Sequence, residues 1–166
     1  MRYFLLFTMV ITYSGFAQNA DCACCTANHT AFDFWIGQWT VTNPNGSYAG
    51  SNVIDKIQDN CVLRENWTSA TPGYTGTSTN YYDSIKKQWI QLWVDNQGQS
   101  LYLYGNLIDG AMVLQSDPTP GQNGNIINRV SWTPNSDGTV RQHWETSIDD
   151  GVTWATAFDG LYTPKK

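Results

Sequence analysis

The chain has 166 residues, of which 41% are hydrophobic, 14% aromatic and only 14% charged, with a net charge of −5 at neutral pH. An acidic balance without a Lys/Arg cluster argues against nucleic acid, whose phosphates need cationic partners, and against a polybasic contact with a membrane surface. Eight Trp, nine Tyr and six Phe, with Gly scattered singly as turn punctuation, weight the composition toward strands.

The chain opens on MRYFLLFTMVITYSGFAQ, which reads as a secretory signal peptide over residues 1–17. Arg2 supplies the positive end, Tyr3 to Tyr13 are mostly apolar, and Gly15 and Ala17 are the small residues expected before a cut between Ala17 and Gln18. A secreted or periplasmic location is therefore expected. The apolar run is shorter than the roughly 20 residues of a membrane span. Asn19-Ala20-Asp21 before Cys22 is not a lipoprotein pattern, so no membrane anchor is expected. Loss of the leader removes Arg2 from the nine basic residues, leaving eight against fourteen acidic groups, a net charge of −6.

Residues 18–31 are polar and cysteine-marked, and are expected to form an irregular tail. Export makes a disulfide plausible, and the expected bridge joins Cys61 to one of Cys22, Cys24 and Cys25. The neighbours Cys24 and Cys25 do not easily pair with each other, which leaves two thiols free or available to dimerise the protein. C-x-C-C with His29 also has the donor types of a zinc site, but its spacing is not that of a usual zinc motif, and no metal is expected.

From residue 32 to 166 the pattern is that of a single domain. Short alternating runs mark strands near 37–43, 47–58, 61–69, 73–83, 88–95, 100–108, 111–116, 125–134, 139–148 and 153–163. The links between them, among them NPNG, Asp109-Gly110 and NSDG, are of hairpin length and carry the Asn, Asp and Gly that tight turns need. Ten strands joined almost entirely by hairpins predict an all-β fold, a closed or nearly closed antiparallel meander barrel. Closure also removes the exposed edges that strands so rich in aromatics cannot safely keep.

Alternation then assigns faces. One face of 88–95 carries Trp89, Gln91, Trp93 and Asp95, and the other Ile90, Leu92 and Val94. One face of 73–83 carries Gly76, Ser78, Asn80 and Tyr82, and one face of 61–69 carries Cys61, Leu63, Glu65 and Trp67. In 139–148 the choice lies between Gln142 with Trp144 and Arg141 with His143 and Glu145. Faces that mix Trp with Gln, Asn and Glu suit either a partly solvated exterior or an aromatic-walled cavity with a few polar groups, which is how small-molecule pockets are built. On the cavity reading the ligand-binding residues are Glu65, Trp67, Asn80, Gln91, Trp93, Gln142 and Trp144, and the all-aliphatic face of 90–94 packs against another part of the protein. The partner is then a small molecule and no cofactor is required.

Gly37-Gln38-Trp39, in the stretch FDFWIGQW, is similar to the G-x-W opening of lipocalins. That resemblance implies a short 3₁₀ plug over His29 to Ile36 closing one barrel end. Phe34, Trp35, Gly37 and Trp39 would then be structural, and Arg141 would be the late-strand cation laid across Trp39. A wider match covers 32–162. FDFWIGQW is followed in order by Asp59-Asn60-Cys61-Val62-Leu63 with Glu65 and Trp67, by Gly76-x-Ser78-x-Asn80-x-Tyr82-Asp83, and by Trp89-x-Gln91-x-Trp93-Val94-Asp95. WTPNSDGTVRQHWETS and Phe158-Asp159-Gly160-x-Tyr162 complete it. This resembles a bacterial family of exported, lipocalin-like proteins to which no reaction is assigned, so it implies a fold and no activity.

The chemistry-bearing candidates are few. A carboxyl at Glu65 beside Trp67 would be desolvated and its pKa raised, which makes it the one candidate general acid or base, for an isomerase or lyase reaction rather than hydrolysis. His143 would be an axial haem ligand if it faced inward, the basis of a haem-carrying alternative. SIDDGVTW (147–154) matches a sialidase Asp-box, but a propeller needs several boxes, and a single one is better read as a hairpin device. No nucleophile elbow and no phosphate-binding Gly loop is visible.

Overall fold

A computed structural model describes residues 22–122 and 124–165. The leader expected over 1–17, with tail residues 18–21, lies outside the described residues. The strands are β1 (Gly37–Thr42), β2 (Tyr48–Ile57), β3 (Val62–Ser69), β4 (Thr75–Asp83), β5 (Gln88–Asp95), β6 (Ser100–Ile108), β7 (Ala111–Gln115), β8 (Thr119–Gly121), β9 (Gly124–Pro134), β10 (Val140–Ser147) and β11 (Ala155–Pro164). Ten of them pair antiparallel with their chain neighbours, β9 following β7, and β11 returns to β1 to close the ring. The result is a closed, lipocalin-like ten-stranded barrel. The expected strand ends fall within two residues of the observed ones. The added feature is β8, which the loop DPTPGQNG contributes as a short flap paired to β9.

Turn chemistry explains the meander. Asp109-Gly110 links β6 to β7 with both residues at positive φ, 50° and 83°, the two-residue turn whose twist matches paired strands. In SIDDGVTW, Asp149 accepts from Ser147 Oγ at 2.8 Å and from the Thr153 backbone at 2.8 Å, and the Trp154 indole donates to the Gly151 carbonyl at 3.0 Å. The single Asp-box is thus the β10–β11 hairpin turn, and Arg129 lies 3.8 Å over the Trp154 ring.

The N-terminal segment closes one end. One helical turn, α1 (Ala27–Thr30), and a 3₁₀ turn at Asp33–Trp35 lead into β1. Phe32 and Trp35 are fully buried and stacked at 5.0 Å, and Phe32 meets the edges of Trp89 at 5.6 Å and Trp132 at 5.1 Å. Phe34 packs against the same cluster. Trp39 donates its indole N–H to the Trp35 carbonyl at 3.0 Å, locking strand to plug. Gly37 takes a φ of 149° that other residues rarely adopt. The Gly between the aromatics therefore serves the close turn from plug into strand.

Four expectations about this frame are corrected. Arg141 does not lie across Trp39: its guanidinium forms a two-pronged ion pair with Asp159 at 2.7 and 2.9 Å, half exposed on the outer surface. No thiol is free among the described residues, because Cys24 bridges Cys61 and Cys22 bridges Cys25. The tail is not wholly irregular, since α1 lies in it and Asn28 accepts from the Trp89 indole at 3.1 Å. The 90–94 aliphatic face is the barrel exterior: Leu92 and Val94 are exposed, and Ile90 is covered, paired between Tyr81 and Tyr104 on the flanking strands.

Candidate functional site

Above the plug, inward-facing polar residues from six strands meet in one hydrogen-bonded belt. Gln91 on β5 donates to Asn80 Oδ1 at 2.8 Å, and Asn80 on β4 donates to Ser78 Oγ at 2.8 Å and to the Leu63 carbonyl at 3.1 Å. Ser78 donates to Glu65 Oε2 on β3 at 2.6 Å, and Asn52 on β2 donates to Glu65 Oε1, also at 2.6 Å. The Asn52 amide also reaches the Tyr162 hydroxyl of β11 at 3.3 Å, and Tyr162 donates to Gln142 Oε1 of β10. Cross-strand register makes this possible, because Glu65 stands directly opposite Ser78, and Asn80 opposite Gln91.

Glu65 is the chemical centre of the belt. Only 4% of it is exposed, and burial raises its pKa from 4.5 to about 7 against the opposing effect of the Ser78 and Asn52 hydrogen bonds. Such a carboxyl gains or loses a proton at neutral pH. Asn52 has both donor contacts committed to Glu65 and Tyr162 while its own Oδ1 has no partner. Burial, together with the Glu65 charge, holds the Tyr162 phenol well above its ordinary pKa, so it stays protonated.

Beyond the belt a cavity of about 620 Å³ runs toward the end opposite the plug. Trp67, Trp93, Trp144 and Phe158 form its walls, with Leu101 and Val130 between them, and Glu65, Gln91, Gln142 and Tyr162 at its inner end. Three of the aromatic rings line this space without filling it because inward-facing glycines let them lie flat. A Cβ on Gly76 would stand 2.1 Å from Trp93, one on Gly50 2.5 Å from Trp67, and one on Gly160 2.6 Å from Phe158. Trp144 is held by its indole N–H, which donates to Asn128 Oδ1 at 2.9 Å. Asp95 also lines the cavity; burial acts to raise its pKa, but hydrogen bonds from the Gln99 and Gln97 backbones and from Tyr74 outweigh it and keep the carboxyl below its ordinary value.

Six of the seven expected ligand-binding residues, Glu65, Trp67, Gln91, Trp93, Gln142 and Trp144, border the cavity. Asn80 does not: it is fully buried behind Gln91, and its role is to orient that amide. His143 faces outward, within 3.0 Å of Thr156 and 3.8 Å of Glu145, so it cannot reach a haem in the lumen. Asn52, Tyr162, Phe158 and Asn128 belong to the site without having been singled out from sequence as site residues. The face shared by Gly50, Asn52 and Ile54 carries the same small–polar–apolar signal as the Gly76, Ser78, Asn80 and Tyr82 face of β4 and would have exposed Asn52. Compared with protein-family models and with curated proteins, the chain matches none.

Proposed function

We propose that this protein is an exported barrel that binds a small, largely apolar or aromatic molecule in its interior, as a member of the lipocalin-like exported family its motifs resemble. One observation carries the reading: four large aromatic rings, three of them laid against inward-facing glycines, wall a cavity of about 620 Å³ that ends on a few oriented polar groups. That volume lies within the roughly 300–1,000 Å³ of small-molecule sites. Both disulfides suit an oxidising compartment.

The test is binding of the uncharged fluorophore N-phenyl-1-naphthylamine, read by its emission and by quenching of the lumen tryptophans. Saturable binding is expected in the native protein and is lost in Leu101→Trp, which puts an indole into the cavity from β6, opposite Trp93. No binding, or equal binding in that variant, would remove the reading. Native mass spectrometry of protein from its own cells would weigh a resident molecule directly.

An enzymatic alternative rests on the near-neutral carboxyl of Glu65. In that reading Glu65 passes a proton to or from the bound molecule in an isomerase or lyase step. Conversion of the co-purified molecule by fresh protein, abolished in Glu65→Gln, would support it. Unchanged ligand after prolonged incubation would leave binding as the function.

A further inference from the structure

The charges of the barrel are sorted by side. Among the described residues, the four carboxylate pairs of lysine and arginine, Lys56–Asp33, Arg64–Asp55, Arg129–Glu145 and Arg141–Asp159, lie outside the cavity. Among the described residues, the cavity lining holds the carboxyls of Glu65 and Asp95 and no lysine, arginine or histidine. A buried carboxylate without a counter-charge is costly, and it favours any positive group that enters. The walls act in the same direction, since the face of an aromatic ring is negative and attracts cations. Each Glu65 oxygen accepts one hydrogen bond from the protein, at 2.6 Å, and a carboxylate oxygen has room for a second.

We propose that the guest is a small organic cation, an ammonium on an apolar or aromatic body, with its nitrogen against the Glu65 carboxylate and its body between Trp67, Trp93 and Trp144. This rests on the ligand-binding reading above and names the chemical class of the ligand. Asp95, nearer the mouth and ionised, draws the same charge inward. The groups facing Glu65 from the neighbouring strands are Asn52, Ser78 and Tyr162, none of them charged, and Tyr162 keeps its proton. The guest is therefore the one partner that neutralises Glu65.

Three matched probes test this at pH 8, read by energy transfer from tryptophan: 1-pyrenemethylamine, 1-pyrenemethanol and 1-pyrenecarboxylate. The amine is expected to bind at least about tenfold tighter than the alcohol, a preference of about 1.4 kcal/mol, and the carboxylate weakest. Glu65→Gln should bring the amine to the level of the alcohol while alcohol binding persists, which also reports that the variant is folded. Calorimetry of the native protein at pH 7 in buffers of different ionisation enthalpy needs no variant. Amine binding should release protons, because a cation favours the ionised form of a carboxyl that titrates near 7, and alcohol binding should release none. Equal affinity for amine and alcohol, no proton release, or an amine preference that survives Glu65→Gln would overturn the inference and leave the pocket reading standing. Failure of all three probes would overturn both.

Discussion

Glu65 supplies the most demanding prediction. Unfolded, its carboxyl ionises near 4.5; folded, near 7. Below pH 4.5 both states are protonated and the residue costs nothing. Between 4.5 and 7 the unfolded chain has released its proton while the folded one holds it, so stability falls by about 1.4 kcal/mol per pH unit and levels off above 7. The whole loss is about 3 kcal/mol. Glu65→Gln is neutral at every pH and escapes it. Its amide is tolerated because Ser78 Oγ, 2.6 Å away, can turn its hydroxyl and accept where it had donated. Urea unfolding of both proteins at pH 5, 6, 7 and 8 should therefore show the variant gaining on the native protein by roughly 2–3 kcal/mol across the series, since part of the loss is already complete at pH 5, with equal m-values. An infrared carboxylic-acid band that titrates near pH 7 and is missing from the variant would identify the group. A stability difference that stays flat from pH 5 to 8 would refute the reasoning, because it would mean that Glu65 ionises as an exposed carboxylate does.

Gly76→Ala should push the Trp93 ring into the lumen and weaken N-phenyl-1-naphthylamine binding by about tenfold or more, with the β-sheet circular dichroism unchanged. Trp35→Ala in the plug should cost about 3–5 kcal/mol, read as a lower urea midpoint. Removing the Cys24–Cys61 bridge by a double Ser substitution frees a loop with a sequence separation of 37 and should cost about 4 kcal/mol, against about 2 for Cys22–Cys25 with a separation of 3. Asp149→Ala should speed amide exchange at Gly151 and Thr153 and leave ligand binding intact, since Asp149 serves the turn alone.

Most of the barrel is legible in the chain because a strand reports its own faces. Glu65 with Trp67, and Gln91 with Trp93, are two residues apart, and no fold that buries one face of such a strand can separate them. What one strand cannot report is which face is buried when both are mixed. On β10, Arg141 across Trp39 and Gln142 in the lumen are mutually exclusive, because successive side chains point to opposite sides. The outward ion pair with Asp159, directly across the β11 hairpin from His143, decides the parity, and with it the haem reading falls. The belt is less legible still. Its cross-strand bonds join residues 11 to 110 positions apart, and they depend on the stagger of six strands that no local pattern encodes. The same stagger explains why polar groups collect at one level between plug and cavity. Strand number and stagger set the width of the lumen, and the belt, whose hydrogen bonds link inward side chains of six strands, fixes those side chains at that depth. The glycines then keep the rings against the wall above it. Cavity and belt therefore meet at Glu65, Gln91, Gln142 and Tyr162, and a substitution that breaks the chain of hydrogen bonds, such as Asn52→Leu, should alter ligand affinity as well as stability.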